Sequence, residues 1–215
     1  MHELVALDVA VDPDEWRKLG FAVDDHDVCA VDGVAIRLGS AGRKISGWAL
    51  AGVPGGVEVD GLPTVQPPPP TPAALHSNGT VALDHLVVMS PDPDRTIAAL
   101  AAHGVEPRRQ RDTDQYGRPF TQTFFRLGRP ILELVGPATP AGSEPARFYG
   151  IAFTVDDLDA TAALLGDRLG RVKDAVQPGR RIATLRREAG AGIPVAFMSP
   201  GADSLDAGAG SDEAQ

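Results

Sequence analysis

A histidine and a glutamate are the two residues of this sequence whose types and positions best suit chemistry. His85 lies in the run LDHLVVMS, and Glu133 lies in the later run ILELVGP. Both runs read as β-strands, in which successive side chains point to opposite faces. If the two strands belong to one sheet and these residues share its open face, the imidazole and the carboxylate can act as general acid and base. The same two groups can also bind a divalent cation.

A helix predicted directly after the first strand fixes which strand face stays open. Asp92 is a suitable N-cap, and Pro93 suits the first helical position. The apolar residues that follow recur with helical spacing, so the helix presents an apolar stripe that can cover the leucine and valine face of the preceding strand. His85 then faces away from the helix. By the same alternation the two leucines of ILELVGP lie under the helix, and Glu133 lies on the side of His85.

The same order of strand, capped helix and further strands occurs three times. Asp12-Pro13 opens a helix after the first apolar run, as Asp92-Pro93 does, and Asp157 opens a third helix. The joint recurrence of cap and flanking strand indicates an internal repeat. Four consecutive prolines between the first and second copies indicate an extended linker. The predicted division is a degenerate N-terminal module at 1–56 (module one), a proline-rich linker at 57–79, a paired domain at 80–200 made of module two (80–140) and module three (146–200), and a disordered tail at 201–215.

One strand, one helix and further strands, with a histidine in the first strand and a glutamate in the last, resemble the βαβββ module of the vicinal oxygen chelate superfamily. Its members include glyoxalase, bleomycin-resistance and dioxygenase relatives. The resemblance implies an α+β fold in which repeated βαβββ modules form curved mixed sheets around a cleft. It also implies that two modules pair and that their first and last strands present metal ligands, positions that His85 and Glu133 match. A divalent ion held in this way can stabilise an enolate.

Module three departs from that ligand pattern. The positions that correspond by register to the histidine and the glutamate of module two are Gly150 and Ala196, and neither can bind a metal. Two protein ligands leave a divalent ion mostly to water, unless Gln122, His76 or a carboxylate of another chain completes the site. The expectation for the cofactor is therefore open between a divalent metal of unknown identity and no metal.

Four further residues are predicted to contact a ligand. Gln122 and Phe124 share one face of the strand predicted before that of Glu133, and Tyr149 lies at the start of the first strand of module three. Arg186 falls on the supposed cleft face of the run RRIATLR. A guanidinium suits a carboxylate or phosphate, although an arginine at a strand end more often forms a solvated salt bridge. Aromatic side chains can line an apolar pocket, although most belong to the core.

Composition and charge narrow the class of partner. The chain has 215 residues, is 43% hydrophobic and carries a net charge of −9 without a basic stripe. Such a chain is globular and a poor partner for nucleic acid or an anionic membrane. No apolar run approaches the roughly 20 residues that span a bilayer, and no basic region precedes the first apolar stretch, so we expect a cytoplasmic protein. The only cysteine, Cys29, cannot form an intrachain disulfide. A small-molecule ligand is the remaining expectation.

Three functional hypotheses follow from these residues and from the resemblance, of which the third is a structural or regulatory protein built from degenerate modules. In the first, the protein is a lyase, isomerase or epimerase that acts on a small oxygenated metabolite, including an anionic one, through His85 and Glu133. In the second, the cleft sequesters a small molecule without turnover. The intact pair in module two favours an enzyme, whereas the missing ligands of module three favour binding. Module one is expected either to cover the paired domain or to meet its counterpart in a homodimer.

Overall fold

The computed structural model describes residues 2–42, 44–69, 72–114 and 119–201. The predicted tail lies outside these residues except for Gly201. Within the described part of the chain, no helix has the length and the apolar character needed to cross a membrane.

The N-terminal part forms a four-stranded sheet and a short two-stranded ribbon. The first helix begins where the sequence predicts, because the Asp12 carboxylate accepts a hydrogen bond from the Asp14 amide at 2.9 Å and Pro13 occupies the first turn. The sheet order is β2-β3-β1-β4, and β5 pairs with β6. The bounds are β1 Glu3–Ala10, α1 Pro13–Lys18, β2 Val28–Val31, β3 Val34–Leu38, β4 Lys44–Ala51, β5 Glu58–Val59 and β6 Leu62–Pro63.

The strand expected to close module one takes a different place. β1 pairs directly with β3 in parallel, and β4 lies on the other edge of β1, antiparallel to it. In this position Trp48 of β4 is fully buried and meets Phe148 edge-on, with ring centroids 5.3 Å apart. Burial of so large an aromatic surface stabilises this placement. Module one therefore has the predicted elements but not the strand order of the other two modules.

The rest of the chain forms one eight-stranded mixed sheet. Its order is β12-β13-β14-β11-β7-β10-β9-β8, in which two identical four-strand patterns meet where β7 and β11 pair antiparallel. The two patterns are the βαβββ units of modules two and three, and the expected α+β fold of curved mixed sheets around a cleft is confirmed. The bounds are β7 Thr80–Met89, α2 Pro93–Ala101, β8 Pro107–Thr113, β9 Phe120–Arg126, β10 Ile131–Pro137, β11 Arg147–Val155, α3 Leu158–Leu165, β12 Lys173–Asp174, β13 Arg181–Thr184 and β14 Val195–Met198, with 3₁₀ turns at Gly166–Arg168 and Arg187–Ala189.

Module one packs against the side of the large sheet that faces away from the cleft. Trp16 of α1 lies edge-on to Phe153 of β11 at 6.1 Å between centroids, and its indole donates to the Ala191 carbonyl at 3.2 Å. Phe21 stacks on Phe197 of β14 at 6.0 Å. These rings belong to one continuous core with the apolar face of β7. The opposite face of the large sheet stays open, and the site lies there.

The end of the predicted linker is bound to module one. The Nδ1 atom of His76 accepts a hydrogen bond from the Ala22 amide at 3.0 Å, and its Nε2 atom lies 3.1 Å from the Ala30 carbonyl. Asn78 donates to the Leu19 carbonyl at 3.0 Å. His76, one of the candidates for a third metal ligand, therefore uses both ring nitrogens here and is not among the residues that line the cleft.

Candidate functional site

The open face of the large sheet encloses a cavity of about 1050 Å³. Both modules contribute walls to it. Module two contributes His85, Gln122 and Glu133, whereas module three contributes mainly small or apolar side chains such as Ala152 and Ala196. A mostly apolar cavity with a few polar groups on one side is the usual form of a small-molecule site.

A β-bulge in β7 shapes the polar wall. His85 pairs with Ala152 of β11 but Leu83 pairs with Phe153, so Asp84 is an extra residue without a partner in β11. Leu83 and the leucine after His85 are both buried. Asp84 and His85 therefore both turn away from the core, whereas regular alternation would have put them on opposite faces.

Hydrogen bonds, and one longer contact between His85 and Glu133, join the polar side chains of this wall into one row. The Asp84 Oδ1 and His85 Nδ1 atoms lie 2.8 Å apart, and the His85 Nε2 atom lies 3.6 Å from Glu133 Oε2. Gln122 donates from its amide to the other oxygen of Glu133, and Arg111 donates from Nε to Gln122 Oε1 at 2.7 Å. The side chains of His85 and Glu133 are 19% and 15% exposed, so a ligand in the cavity can reach both.

Asp84 is held as a carboxylate by partners on three sides. Burial alone raises the pKa of Asp84, but hydrogen bonds and charge from His85 and Arg180 outweigh burial and hold this pKa below its usual value. Arg180 Nη2 lies 2.6 Å from Asp84 Oδ2, and the Thr154 hydroxyl donates to the same oxygen at 3.0 Å. An ionised carboxylate only accepts hydrogen bonds, so the Nδ1 atom of His85 carries the proton of their shared bond. The Nε2 atom is then the one turned toward Glu133.

Four of the six predicted site residues line the cavity together. They are His85, Glu133, Gln122 and Tyr149. Their grouping agrees with the predicted strand faces. Gln122 of β9 pairs with Val135 of β10, and Val135 lies on the same strand face as Glu133, two positions earlier.

The other two predicted residues lie outside the cavity lining. Phe124 shares the strand face of Gln122, but the Arg111 guanidinium lies over its ring, 5.4 Å from the centroid. Arg186 is exposed. The strand that was predicted to carry Arg186 ends at Thr184, and the chain then turns into a 3₁₀ helix at Arg187–Ala189. The strand alternation that placed Arg186 on the cleft face therefore stops before it.

Two residues of the site were missed by sequence reasoning. Asp84 precedes His85 directly, and alternation assigns it to the core side, because nothing in the run LDHLVVMS signals a bulge. Arg180 follows the turn Pro178-Gly179 and was one of several arginines in that stretch. A Pro-Gly dipeptide indicates only that the chain turns there, and it does not indicate that Arg180 reaches β7.

The donor set of the cleft does not fit a resident divalent metal. Gly150 and Ala196, the module three positions matched to ligands, line the cavity without a donor atom. In residues 2–42, 44–69, 72–114 and 119–201, no group of three or more His, Cys, Asp or Glu side chains could hold a metal ion. Asp84, whose carboxylate contacts His85 Nδ1, is also bonded to Arg180. Among the described residues, His85 and Glu133 then remain as the only neighbouring pair of donors in the cleft, and divalent ions need more.

Comparisons with known proteins give one family match and several structural neighbours. The sequence model of the Glyoxalase/Bleomycin resistance protein/Dioxygenase superfamily matches residues 84–197, just over half of the chain. A crystal structure of methylmalonyl-CoA epimerase from Mycobacterium tuberculosis is 18% identical, with a TM-score of 0.49, over 62% of this chain and 97% of that chain. A single-residue variant of Streptomyces coelicolor methylmalonyl-CoA epimerase, in complex with 2-nitronate-propionyl-CoA, is 20% identical with a TM-score of 0.46, over 57% and 96%. No curated protein matches the chain.

Proposed function

Because the chain belongs to the glyoxalase, bleomycin resistance protein and dioxygenase superfamily, we propose that its cleft moves a proton on a small oxygenated metabolite through His85 and Glu133. The reaction class is that of an isomerase, lyase or epimerase that acts on a carbon next to a carbonyl group. In this proposal protein side chains supply the acid and the base, since the donor set of the cleft does not fit a resident metal.

The observation that carries the proposal is the 3.6 Å approach of His85 Nε2 to Glu133 Oε2 at the wall of an apolar cavity. A general acid and a general base must both lie within reach of adjacent atoms of one substrate. The apolar lining lowers the local dielectric, which strengthens the interaction of these groups with charge that develops on the substrate.

The proposed step conserves protons and electrons. The Glu133 carboxylate takes the proton from the carbon next to the carbonyl. The electron pair of the broken C–H bond moves toward the carbonyl oxygen, which takes the proton on the Nε2 atom of protonated His85. The enol is converted to product when one of its hydroxyl groups returns a proton to His85 Nε2 and Glu133 gives its proton to the same carbon or, in an enediol, to the neighbouring carbon. In an elimination, Glu133 instead gives its proton to the group that leaves the next carbon. Asp84, at Nδ1, holds the ring in position and stabilises its positive charge.

The arrangement favours proton transfer on one face of the substrate. Both reactive groups belong to module two. Module three lines the cavity with Ala152, Ala196 and Thr184, none of which has an ionisable side chain. The ionisable lining residues at and just before its first strand, Glu144, Arg147 and Tyr149, are all exposed. A two-base epimerase needs a proton donor on each face, whereas an isomerase or a lyase can work from one. One-faced isomerisation or elimination is therefore the preferred form of the proposal.

Sequestration of a ligand without turnover is the second candidate. It is supported by the size of the cavity and by the small apolar side chains of the module three wall, which can enclose a ligand without reacting with it. In this alternative His85 and Glu133 orient the ligand through hydrogen bonds only.

Hydrogen exchange separates the two candidates. Chelator-treated protein is incubated in deuterated buffer with a panel of small 2-oxo acids, hydroxyketones and thioesters, and NMR follows deuterium entering the carbon next to the carbonyl. We expect the wild type to speed exchange on a member of the panel, and His85→Gln and Glu133→Gln to lower that rate by about 10²–10⁴-fold. Asp159→Asn, on the exposed surface of α3, is the control and should exchange at the wild-type rate.

Two outcomes would count against the enzymatic proposal. Ligand-induced shifts in melting temperature with no exchange, unchanged in both variants, would support sequestration. Exchange that His85→Gln leaves at the wild-type rate would remove the acid–base pair from the mechanism. Recovery of labelled substrate with inverted configuration would overturn the one-faced form of the proposal.

A further inference from the structure

An arginine from module three reaches behind the reactive histidine of module two. We infer that Arg180 is a positioning residue for His85: by binding Asp84, it fixes the ring tautomer that carries hydrogen on Nδ1 and the ring orientation that aims Nε2 at Glu133. The proposed reaction gives this arrangement its purpose, but the arrangement itself can be tested without any substrate.

The guanidinium of Arg180 is fixed by several acceptors. Its Nη2 atom lies 2.6 Å from Asp84 Oδ2 and 3.2 Å from the Thr154 hydroxyl. Nε donates to the Ser199 carbonyl at 2.8 Å, and Nη1 donates to Gln177 Oε1 at 2.6 Å. A planar fork with this many bonds has one orientation, so the nitrogen that it presents to Asp84 is defined as well.

The pair is too enclosed to be an ordinary surface salt bridge. The Asp84 and Arg180 side chains are each 11% exposed. The neighbouring Arg181, by contrast, pairs with Asp159 at 2.8 Å, with side chains 44% and 68% exposed. A buried ion pair adds little net stability compared with apolar residues of the same volume. Its clearest local consequence is therefore the state in which it holds Asp84.

The state of Asp84 decides which nitrogen of His85 carries hydrogen. As a carboxylate, Asp84 can only accept, so the 2.8 Å contact requires hydrogen on Nδ1. Without Arg180, the Asp84 Oδ2 atom loses its partner at 2.6 Å, and the carboxylate can rotate so that Oδ1 no longer stays on Nδ1. The hydrogen of the neutral His85 ring can then lie on Nε2, which no longer has a lone pair to face Glu133. By holding Asp84, Arg180 prevents this change of tautomer.

Nitrogen-15 NMR of the histidine rings tests the inference directly. Full-length protein labelled at its histidines is measured at a pH where the rings are neutral, and the His85 signals are assigned by their loss in His85→Gln. In the wild type we expect Nδ1 to be the protonated nitrogen and Nε2 the unprotonated one. Arg180→Met should reverse or average this pattern, Arg180→Lys should restore part of it because it keeps the charge, and Arg181→Met should leave it unchanged.

The inference fails if the wild-type ring carries its hydrogen on Nε2, or if a folded Arg180→Met variant keeps the wild-type nitrogen shifts. If Arg180→Met does not fold, the wild-type pattern and the Arg180→Lys shifts still decide. Because no substrate is present, absence of turnover leaves this result intact. Conversely, an active enzyme whose His85 tautomer ignores Arg180 would overturn the inference and leave the proposed function standing.

Discussion

The two halves of the cleft have the same architecture and different contents. Modules two and three arrange their strands in the same order, and β7 and β11 meet between them. Module two presents an imidazole, a carboxylate and an amide to the cavity. At the matched positions, module three presents Gly150 and Ala196. Strand order therefore fixes where a side chain can reach the cavity, but not what it does there.

Module three, although it lacks the histidine and the glutamate, still contributes a residue to the polar wall of module two. Module three supplies one wall of the cavity, and the turn before β13 supplies Arg180, which contacts Asp84 across the pairing of β7 with β11. The contact requires that β7 bulges at Asp84, since a regular strand would turn that carboxylate into the core. In the proposed mechanism, module two carries the acid and the base, and module three supplies the arginine that positions the histidine.

Removing the charge that joins the two halves should have the largest effect on stability. Asp84→Asn keeps the shape of the side chain but leaves the Arg180 guanidinium enclosed without its anion. Breaking such a pair costs about 3–5 kcal/mol. Urea unfolding of the variant at neutral pH, followed by circular dichroism, should show this decrease, while Asp159→Asn, which breaks the exposed pair with Arg181, should lose much less stability.

The pH dependence of this loss has a definite sign. The pKa of Asp84 is lowered in the folded protein, so its contribution is present above the pKa of an unfolded aspartate, about 3.9, and is lost as pH falls toward the folded pKa. The difference between wild type and Asp84→Asn should shrink in that acidic range. Equal decreases in the free energy of unfolding for Asp84→Asn and Asp159→Asn at neutral pH would show that the contact between Asp84 and Arg180 does not stabilise the fold.

Local patterns in the sequence predicted the elements and the open face, but not contacts that depend on the whole sheet. The Asp12 and Asp92 caps and the period-two strands were sufficient to predict the repeats and to bring His85 to the side of Glu133. The bulge at Asp84 arises from pairing with β11, and the early end of β13 before Arg186 arises from the turn that follows. These depend on partners distant in sequence, which periodicity does not encode.

Gly150, the position of module three that corresponds to His85, tests whether this wall of the cavity has room for a side chain. A Cβ atom at Gly150 would lie 2.5 Å from the Pro194 carbonyl oxygen and 2.9 Å from the Pro194 Cβ, so the neighbouring backbone occupies the space that a side chain needs. Gly150→Ala should therefore lower the free energy of unfolding by about 1–3 kcal/mol. At Gly201 the nearest atom to an added Cβ is a side-chain carbon of Arg180 at 3.8 Å, which makes Gly201→Ala the matched control.

Thermal unfolding of both glycine variants checks this expectation. A clear decrease in melting temperature for Gly150→Ala alone would mean that close strand packing leaves no room for a reactive side chain at this position of the module three wall. If Gly150→Ala melts at the wild-type temperature, this position can accept a side chain. The contrast between His85 in module two and Gly150 in module three would then rest on residue identity alone.

The linker extends the comparison, because its histidine, His76, is bound to module one and does not line the cleft. Burial lowers the pKa of His76, with the Ala30 carbonyl opposing this in part, so the folded protein favours the neutral ring whose Nδ1 accepts from Ala22. Stability from this group should be complete above the unfolded histidine pKa of about 6.5 and should fall as pH drops below it, by at most about 1.4 kcal/mol per pH unit. Urea unfolding from pH 8 to 5 should show that decline in the wild type and in His26→Asn, where the altered residue is exposed. His76→Asn, which can accept the same hydrogen bond without titrating, should flatten it; an unchanged slope in that variant would assign the decline to other groups.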